Sequence, residues 1–185
     1  MSTFTLQKSK TLDMVYIAMF SVLIAICSWI CIPTTVPFTM QTFGVFVTVG
    51  VLGGRRGSLS ILVYLLLGAI GVPVFAGCTG GIGILLGNTG GYSLGFLLAA
   101  LFMWGMEKVV GQRKWVLTLS MLLGLLICYA FGTTWFMVIY AGSSGEIGLL
   151  TALGWCVFPF VLPDFVKMAL ALLVCNKIKK VIHVN

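Results

Sequence analysis

The chain has 185 residues, of which 60% are hydrophobic and only 8% are charged. A soluble domain carries about 25% charged residues, because water has to solvate its surface. The composition therefore excludes an ordinary soluble domain and predicts an all-α polytopic membrane protein with lipid as its main solvent.

The net charge of +7 comes from basic residues that separate the apolar runs. Their positions are Lys8 and Lys10; Arg55 and Arg56; Lys108, Arg113 and Lys114; and Lys177, Lys179 and Lys180. The alternate connecting segments contain no Lys or Arg. This positive-inside pattern predicts cytoplasmic termini and an even number of spans. It also explains the charge without a nucleic-acid partner.

Six apolar stretches are predicted as spans, judged against the ~20 residues that cross ~30 Å of hydrocarbon. They are residues 12–32, 38–54, 58–72, 90–107, 115–140 and 159–178, with cytoplasmic tails at 1–11 and 179–185. The second and third are short, so they need a thinned bilayer, shielding by neighbouring helices, or different boundaries. Residues 1–185 are predicted to form a single transmembrane domain.

A stripe of small residues lies along the first span. Ala18, Ser21, Ala25 and Ser28 are spaced by three or four positions, which places them on one helix face. Small residues allow helices to approach closely in lipid. The contact is either internal or with another subunit, and the spacing favours neither.

The segment 73–89 is too rich in glycine for a stable helix and too apolar for a solvated loop. At membrane depth such a segment has to be buried in protein or line a cavity. We interpret it, together with residues 90–92 that follow it, as a lid in which glycines let backbone N–H groups approach a ligand. Asn88 and Tyr92 can add side-chain hydrogen bonds. The alternative is tight helix packing at a turn.

Asp164 and Lys167 are the only charges away from the ends of the predicted spans. Each costs at least ~2.5–3.5 kcal/mol near the bilayer centre, so such residues usually face a cavity, a partner or a substrate. Their i, i+3 spacing places both on one helix face. Pro159 and Pro163 are expected to break the helix here, as at transporter substrate sites. The alternative is a purely structural ion pair.

Enzymatic and metal-dependent functions have little support in the sequence. The sole histidine, His183, lies in the basic tail, and neither a G-x-S-x-G nor a Walker motif occurs. The six cysteines have no nearby histidine or carboxylate partners that would suggest a metal site. We therefore expect no enzyme activity, no metal and no cofactor.

Five blocks in order resemble the BioY family, the biotin-specific S components of energy-coupling factor (ECF) transporters. They are residues 38–43 (FTMQTF), 52–60 (LGGRRGSLS), 64–77 (YLLLGAIGVPVFAG), 86–96 (LGNTGGYSLGF) and 162–167 (LPDFVK). The resemblance implies six transmembrane helices in an ECF S-component-like fold. It also implies a multi-pass protein in the plasma membrane of a prokaryote, with both termini cytoplasmic.

The resemblance further implies a high-affinity biotin site near the outer face. The partners it implies are a transmembrane coupling protein and two cytoplasmic ATPase subunits. The alternatives are an S component for another vitamin, such as thiamine or riboflavin, and a structural membrane subunit. An intramembrane enzyme is disfavoured by the missing catalytic residues.

The resemblance also assigns residues. The ligand-binding residues it implies are Asp164, Lys167, Asn88, Tyr92, Gly77, Gly90, Gln41 and Phe75. Asp164 can accept from a ureido N–H, whereas Lys167 can donate to the ureido carbonyl or neutralise the carboxylate of biotin. Docking on the coupling protein is assigned to Ala18, Ser21 and Ala25 of the small-residue stripe.

Overall fold

The computed structural model describes residues 10–34, 36–145 and 147–181, and these are mostly helical. The elements are α1 (Lys10–Trp29), β1 (Cys31–Ile32), β2 (Phe38–Thr39), α2 (Gln41–Leu52), α3 (Gly54–Ala69), α4 (Ile82–Leu86), α5 (Gly90–Val110), α6 (Lys114–Ser144), α7 (Leu149–Cys156) and α8 (Phe158–Val181). Residues 1–9 and 182–185, which make up most of the predicted cytoplasmic tails, lie outside the described residues, as do Thr35 and Glu146.

Within the described residues, four stretches are long and apolar enough, by length and composition, to cross a membrane. They are Lys10–Trp29, Gly90–Val110, Lys114–Gly142 and Leu149–Ile178, the last of which joins α7 to α8. They overlap the first, fourth, fifth and sixth predicted spans, and the last begins earlier than the predicted span because it includes α7. The first span ends earlier than predicted, because Cys31 and Ile32 form a strand.

The second predicted span corresponds to α2, a helix of only 12 residues. At 1.5 Å per residue it is about 18 Å long, well short of the hydrocarbon thickness. All of its residues except Phe43 are buried, and it packs against α1, α3 and α8. Neighbouring helices therefore shield it, which is one of the three explanations for a short span.

The third predicted span corresponds to α3, which has 16 residues and starts immediately after α2. The reversal needs only Gly53, whose φ of 79° lies in a region that glycine adopts without a steric penalty. Both short helices therefore belong to one tight hairpin of helices.

The prolines do not break α8, and the expectation of a broken helix is wrong. The helix runs continuously through Pro163. Pro159 lies in the first turn, where backbone N–H groups have no intrahelical partner in any case. Pro163 therefore removes a single interior N–H, and the helix on both sides of it is maintained.

The small-residue stripe of α1 is mostly internal. Ser21, Ala25 and Ser28 are buried, and the Ser21 hydroxyl donates to the Ser60 carbonyl of α3 at 2.8 Å. Ser28 donates to the Val74 carbonyl at 2.8 Å. Two of the three predicted docking residues, Ser21 and Ala25, thus face the chain's own helices, whereas Ala18 is exposed.

A two-stranded hairpin and the glycine-rich segment cover one end of the bundle. Strands β1 and β2 are antiparallel, with Cys31 opposite Thr39. The glycine-rich segment is not wholly irregular as predicted, because Ile82–Leu86 form the short helix α4. A tertiary contact supports its end: the Trp135 indole N–H donates to the Gly87 carbonyl at 3.0 Å.

The opposite end is tied together where α3 meets α5. The Glu107 carboxylate accepts from the Gly54 N–H at 2.5 Å, which satisfies an otherwise unpaired donor of the first turn of α3. A Cβ on Gly54 would lie 2.4 Å from the Trp104 Cα. The two helices can approach this closely only because residue 54 has no side chain.

We expect Gly54→Ala to lower the free energy of unfolding by about 1–3 kcal/mol, because backbone atoms of α5 have to move. Gly105→Ala is the matched control, since a Cβ on this helical glycine meets nothing within 4 Å. The control should be neutral or stabilising by up to about 1 kcal/mol, because alanine favours helix. Thermal unfolding in detergent measures the stability of both variants. Equal changes in stability for Gly54→Ala and Gly105→Ala would contradict the close contact of α3 with α5.

Candidate ligand-binding site

A cavity of about 260 Å³ lies beneath the hairpin and the glycine-rich segment. Its lining comes from the hairpin, the segment after α3, and helices α2, α4, α5, α6, α7 and α8. Most of the lining surface is apolar, and polar side chains that include Asp164, Lys167 and Gln41 contribute the rest. Small-molecule sites have this character, and typical ones enclose roughly 300–1,000 Å³.

The Asp164–Lys167 pair lies in the wall of this cavity. The Lys167 Nζ is 2.8 Å from the Asp164 Oδ1, and the two side chains are only 5% and 4% exposed. Their i, i+3 spacing on α8 directs both toward the same space. The two charges share one helix face, as the sequence predicts, and they are in direct contact.

The other carboxylate oxygen is held from a different helix. The Tyr129 hydroxyl on α6 donates to the Asp164 Oδ2 at 2.6 Å. A carboxylate oxygen has two acceptor positions, so each oxygen of Asp164 retains one after these two contacts. Since Asp164 lines the cavity, its remaining acceptor capacity is available to a ligand that donates from N–H or O–H.

The aromatic ring of Phe38 contacts the ammonium group of Lys167. Its Nζ lies 3.9 Å from the centroid of the Phe38 ring, within the range of a cation–π contact. Phe38 in turn stacks on Phe160 of α8, with the ring centroids 5.8 Å apart. Strand β2 is therefore anchored directly on the charged pair.

Five of the eight predicted ligand residues line the cavity: Asp164, Lys167, Gln41, Phe75 and Tyr92. The Gln41 side-chain NH2 donates to the Tyr64 hydroxyl at 3.1 Å. The side-chain carbonyl oxygen of Gln41 takes no part in that bond. The Tyr92 and Thr133 hydroxyls are hydrogen-bonded at 3.0 Å. Contact of these residues with a ligand stays a prediction.

The cavity lining does not include Asn88, Gly77 or Gly90. The Asn88 side chain is exposed. A Cβ on Gly90 would lie 1.8 Å from the Leu85 carbonyl oxygen, so glycine serves the tight turn between α4 and α5. Gly77 has a φ of 69° with open space beside it. The structure thus supplies a packing role for Gly90 and a conformational role for Gly77.

Sequence reasoning assigned no role to Tyr129 and Phe38 at the charged pair. Phe38 is 129 positions from Lys167, and Tyr129 is 35 positions from Asp164. Tyr129 carries no motif, and only the arrangement of α6 against α8 identifies it. Phe38 is the first residue of the FTMQTF block, so the family resemblance could have identified it as a candidate site residue.

Comparison with known proteins identifies the family of this chain. The sequence profile of the BioY family matches residues 2–184. The chain belongs to the BioY family. A relative from Thermotoga maritima, named biotin transporter BioY, is 38% identical over 162 residues, covering 87% of this chain and 92% of the relative. A probable biotin transporter BioY from Pyrococcus horikoshii is 40% identical, covering 78% and 81%.

A solved structure confirms the relationship at the level of the fold. The crystal structure of the S component for biotin from an ECF-type ABC transporter superposes with a TM-score of 0.81 at 27% identity, covering 92% of each chain. BioY proteins are transport proteins, so the prediction that this chain is not an enzyme is confirmed.

The buried pair has a consequence for stability. We expect Asp164→Asn to lower the free energy of unfolding by about 3–5 kcal/mol, because an unpaired ammonium group stays buried. Replacing both residues, as Asp164→Asn with Lys167→Met, should recover most of that loss. Thermal unfolding in detergent, without ligand, tests both.

The matched control is another ion pair, in which the Arg56 guanidinium nitrogen lies 2.8 Å from the Asp13 carboxylate oxygen and the Asp13 side chain is 41% exposed. Asp13→Asn should cost at most about 1 kcal/mol, because water screens an exposed pair. A double replacement as unstable as the single Asp164→Asn would contradict the desolvation argument.

Proposed function

We propose that this chain is the biotin-binding S component of an ECF-type importer. The observation that carries the proposal is the buried Asp164–Lys167 pair in the wall of an apolar cavity. Biotin has a ureido group with N–H donors and a carbonyl acceptor, an apolar bicycle and a carboxylate. A carboxylate and an ammonium group side by side can recognise the donors and an acceptor of one such ligand.

The apolar part of the cavity suits the rest of the ligand. Phe75 and Tyr92 contribute aromatic surface that can pack on the bicycle and the aliphatic tail. Gln41 adds an amide that can bind a polar group. The named relatives are biotin transporters, which supports biotin over thiamine or riboflavin as the ligand.

We further propose that the chain works with a transmembrane coupling protein and two cytoplasmic ATPase subunits, in the plasma membrane of a prokaryote. Six spans with both termini cytoplasmic are part of this proposal. The positive-inside pattern supports it, and so does the likeness to the S component of an ECF-type ABC transporter. The cavity then opens toward the outer face, opposite the basic loops.

Calorimetric titration of biotin into the detergent-purified chain tests the ligand assignment, with thiamine and riboflavin as controls. We expect tight binding of about one biotin per chain and no heat from the other two vitamins. Asp164→Asn and Lys167→Ala should each weaken biotin binding by at least roughly 30-fold, because each leaves a buried charge unpaired.

The double replacement Asp164→Asn with Lys167→Met is a control, because it separates a loss of biotin binding from a loss of folding. It should fold and still fail to bind biotin. Wild-type affinity for biotin in this double variant would contradict the assignment of the pair to the binding site. The absence of biotin binding by folded wild-type protein would contradict the assignment of biotin as the ligand.

The exposed face of α1 around Ala18 is proposed as the docking surface for the coupling protein. Overpacking a close helix contact costs about 1–3 kcal/mol, so Ala18→Trp should reduce biotin uptake severalfold while biotin binding is unchanged. Ala169→Trp, at an exposed alanine of α8, is the control and should transport normally. Equal uptake by the two variants in cells containing the coupling proteins would refute docking at Ala18.

A further inference from the structure

We propose that Tyr129 is a positioning residue that sets the specificity of the cavity for N–H donors. Its hydroxyl holds the Asp164 carboxylate in one orientation, so that an acceptor position left free on the carboxylate faces the ligand. The inference rests on the proposed binding of biotin and names a residue to which neither the sequence motifs nor the family resemblance assigned a role.

The geometry of the carboxylate is the first support. Lys167 contacts Oδ1 at 2.8 Å, and the Tyr129 hydroxyl contacts Oδ2 at 2.6 Å. The second distance lies within the ~2.5–2.7 Å range of short charge-assisted O–H···O⁻ bonds. Each oxygen therefore has one strong partner and one acceptor position left over.

The origin of the two contacts is the second support. Lys167 belongs to the same helix as Asp164, so its contact with the carboxylate does not tie Asp164 to another helix. Rotation of a terminal carboxylate is a soft torsion with a broad distribution. Tyr129 comes from α6, and its contact ties the carboxylate to a second helix. Among the hydrogen bonds of the carboxylate that the described residues make, this one comes from another helix, so it sets the direction of the free acceptor positions relative to α6.

A second tyrosine in the cavity shows that the role is specific to position 129. Tyr92 also lines the cavity, but its hydroxyl is paired with Thr133 at 3.0 Å and not with the carboxylate. Tyr129 is partly buried and packs against the hydrophobic core through its ring. Replacing it by phenylalanine therefore removes the hydroxyl contact and retains the aromatic packing.

The ligand chemistry makes this contact a matter of specificity. An oriented carboxylate favours a ligand that places an N–H on one of its free acceptor positions and rejects one that leaves that position unpaired. A carboxylate free to rotate can turn toward other donors, so the rejection weakens. Tyr129 should thus control the ratio of the affinities for two ligands that differ in one N–H.

The experiment is calorimetric titration of the purified chain with biotin and with biotin methylated on one ureido nitrogen. Tyr129→Phe should weaken biotin binding about tenfold, the usual effect of losing a charged hydrogen bond. It should change the affinity for the methylated compound much less, so that the ratio of the two affinities falls. A merely structural tyrosine would lower both affinities alike and leave the ratio unchanged.

Tyr16→Phe is the matched control, because Tyr16 is a partly buried tyrosine of α1 that packs on the core and does not line the cavity. In Tyr16→Phe, the ratio of the affinities for biotin and for the methylated compound should equal that of the wild type. In an Asp164→Asn background, Tyr129→Phe should cause little further loss, since the hydroxyl acts through the carboxylate. An unchanged ratio in Tyr129→Phe, or losses that simply add in the double variant, would overturn the inference.

The two proposals fail in different ways. If the folded wild-type chain does not bind biotin, the proposed function fails and the role of Tyr129 falls with it. If the wild type binds biotin and Tyr129→Phe keeps the wild-type ratio, only the inference about Tyr129 fails.

Discussion

The cost of removing one carboxylate and one ammonium group from water constrains this end of the molecule. Taking a single ion out of water costs several kcal/mol even after relaxation, and attraction within the pair offsets this only if the geometry is good. Asp164 and Lys167 meet the condition with a 2.8 Å contact, the Tyr129 hydroxyl and the Phe38 ring. A pair built for stability alone could be replaced by apolar residues, so its presence in a cavity wall supports the proposed role in ligand binding.

The elements around the pair follow from this constraint. Hairpin β1–β2 places Phe38 over the ammonium group, and α6 supplies the hydroxyl for the carboxylate. The short helix α2 forms the centre of the bundle and begins at Gln41 in the cavity wall. Its length suits this position, because an inner helix surrounded by others does not need to match the thickness of the hydrocarbon.

Much of the architecture could be predicted from the sequence, because lipid imposes strong and local rules. The apolar runs located the long helices α1, α5, α6 and α8, and the i, i+3 rule placed Asp164 beside Lys167. The five blocks identified the family. Predictions that depended on one residue type were weaker: Pro163 did not break α8, and the glycine-rich segment still formed α4 with support from Trp135.

The sequence by itself determined the membrane class, the long helices, the family and the charged pair, since composition, periodicity and short spacings act along the chain. Only the tertiary structure decided which side chains share the cavity and which face of α1 is internal. Tyr129 and Phe38 reach the pair from distant segments, and Ser21 bonds to α3 although its spacing suited an outer contact equally well. The physical reason is that side-chain contacts between helices depend on rotation and depth, which no local pattern specifies.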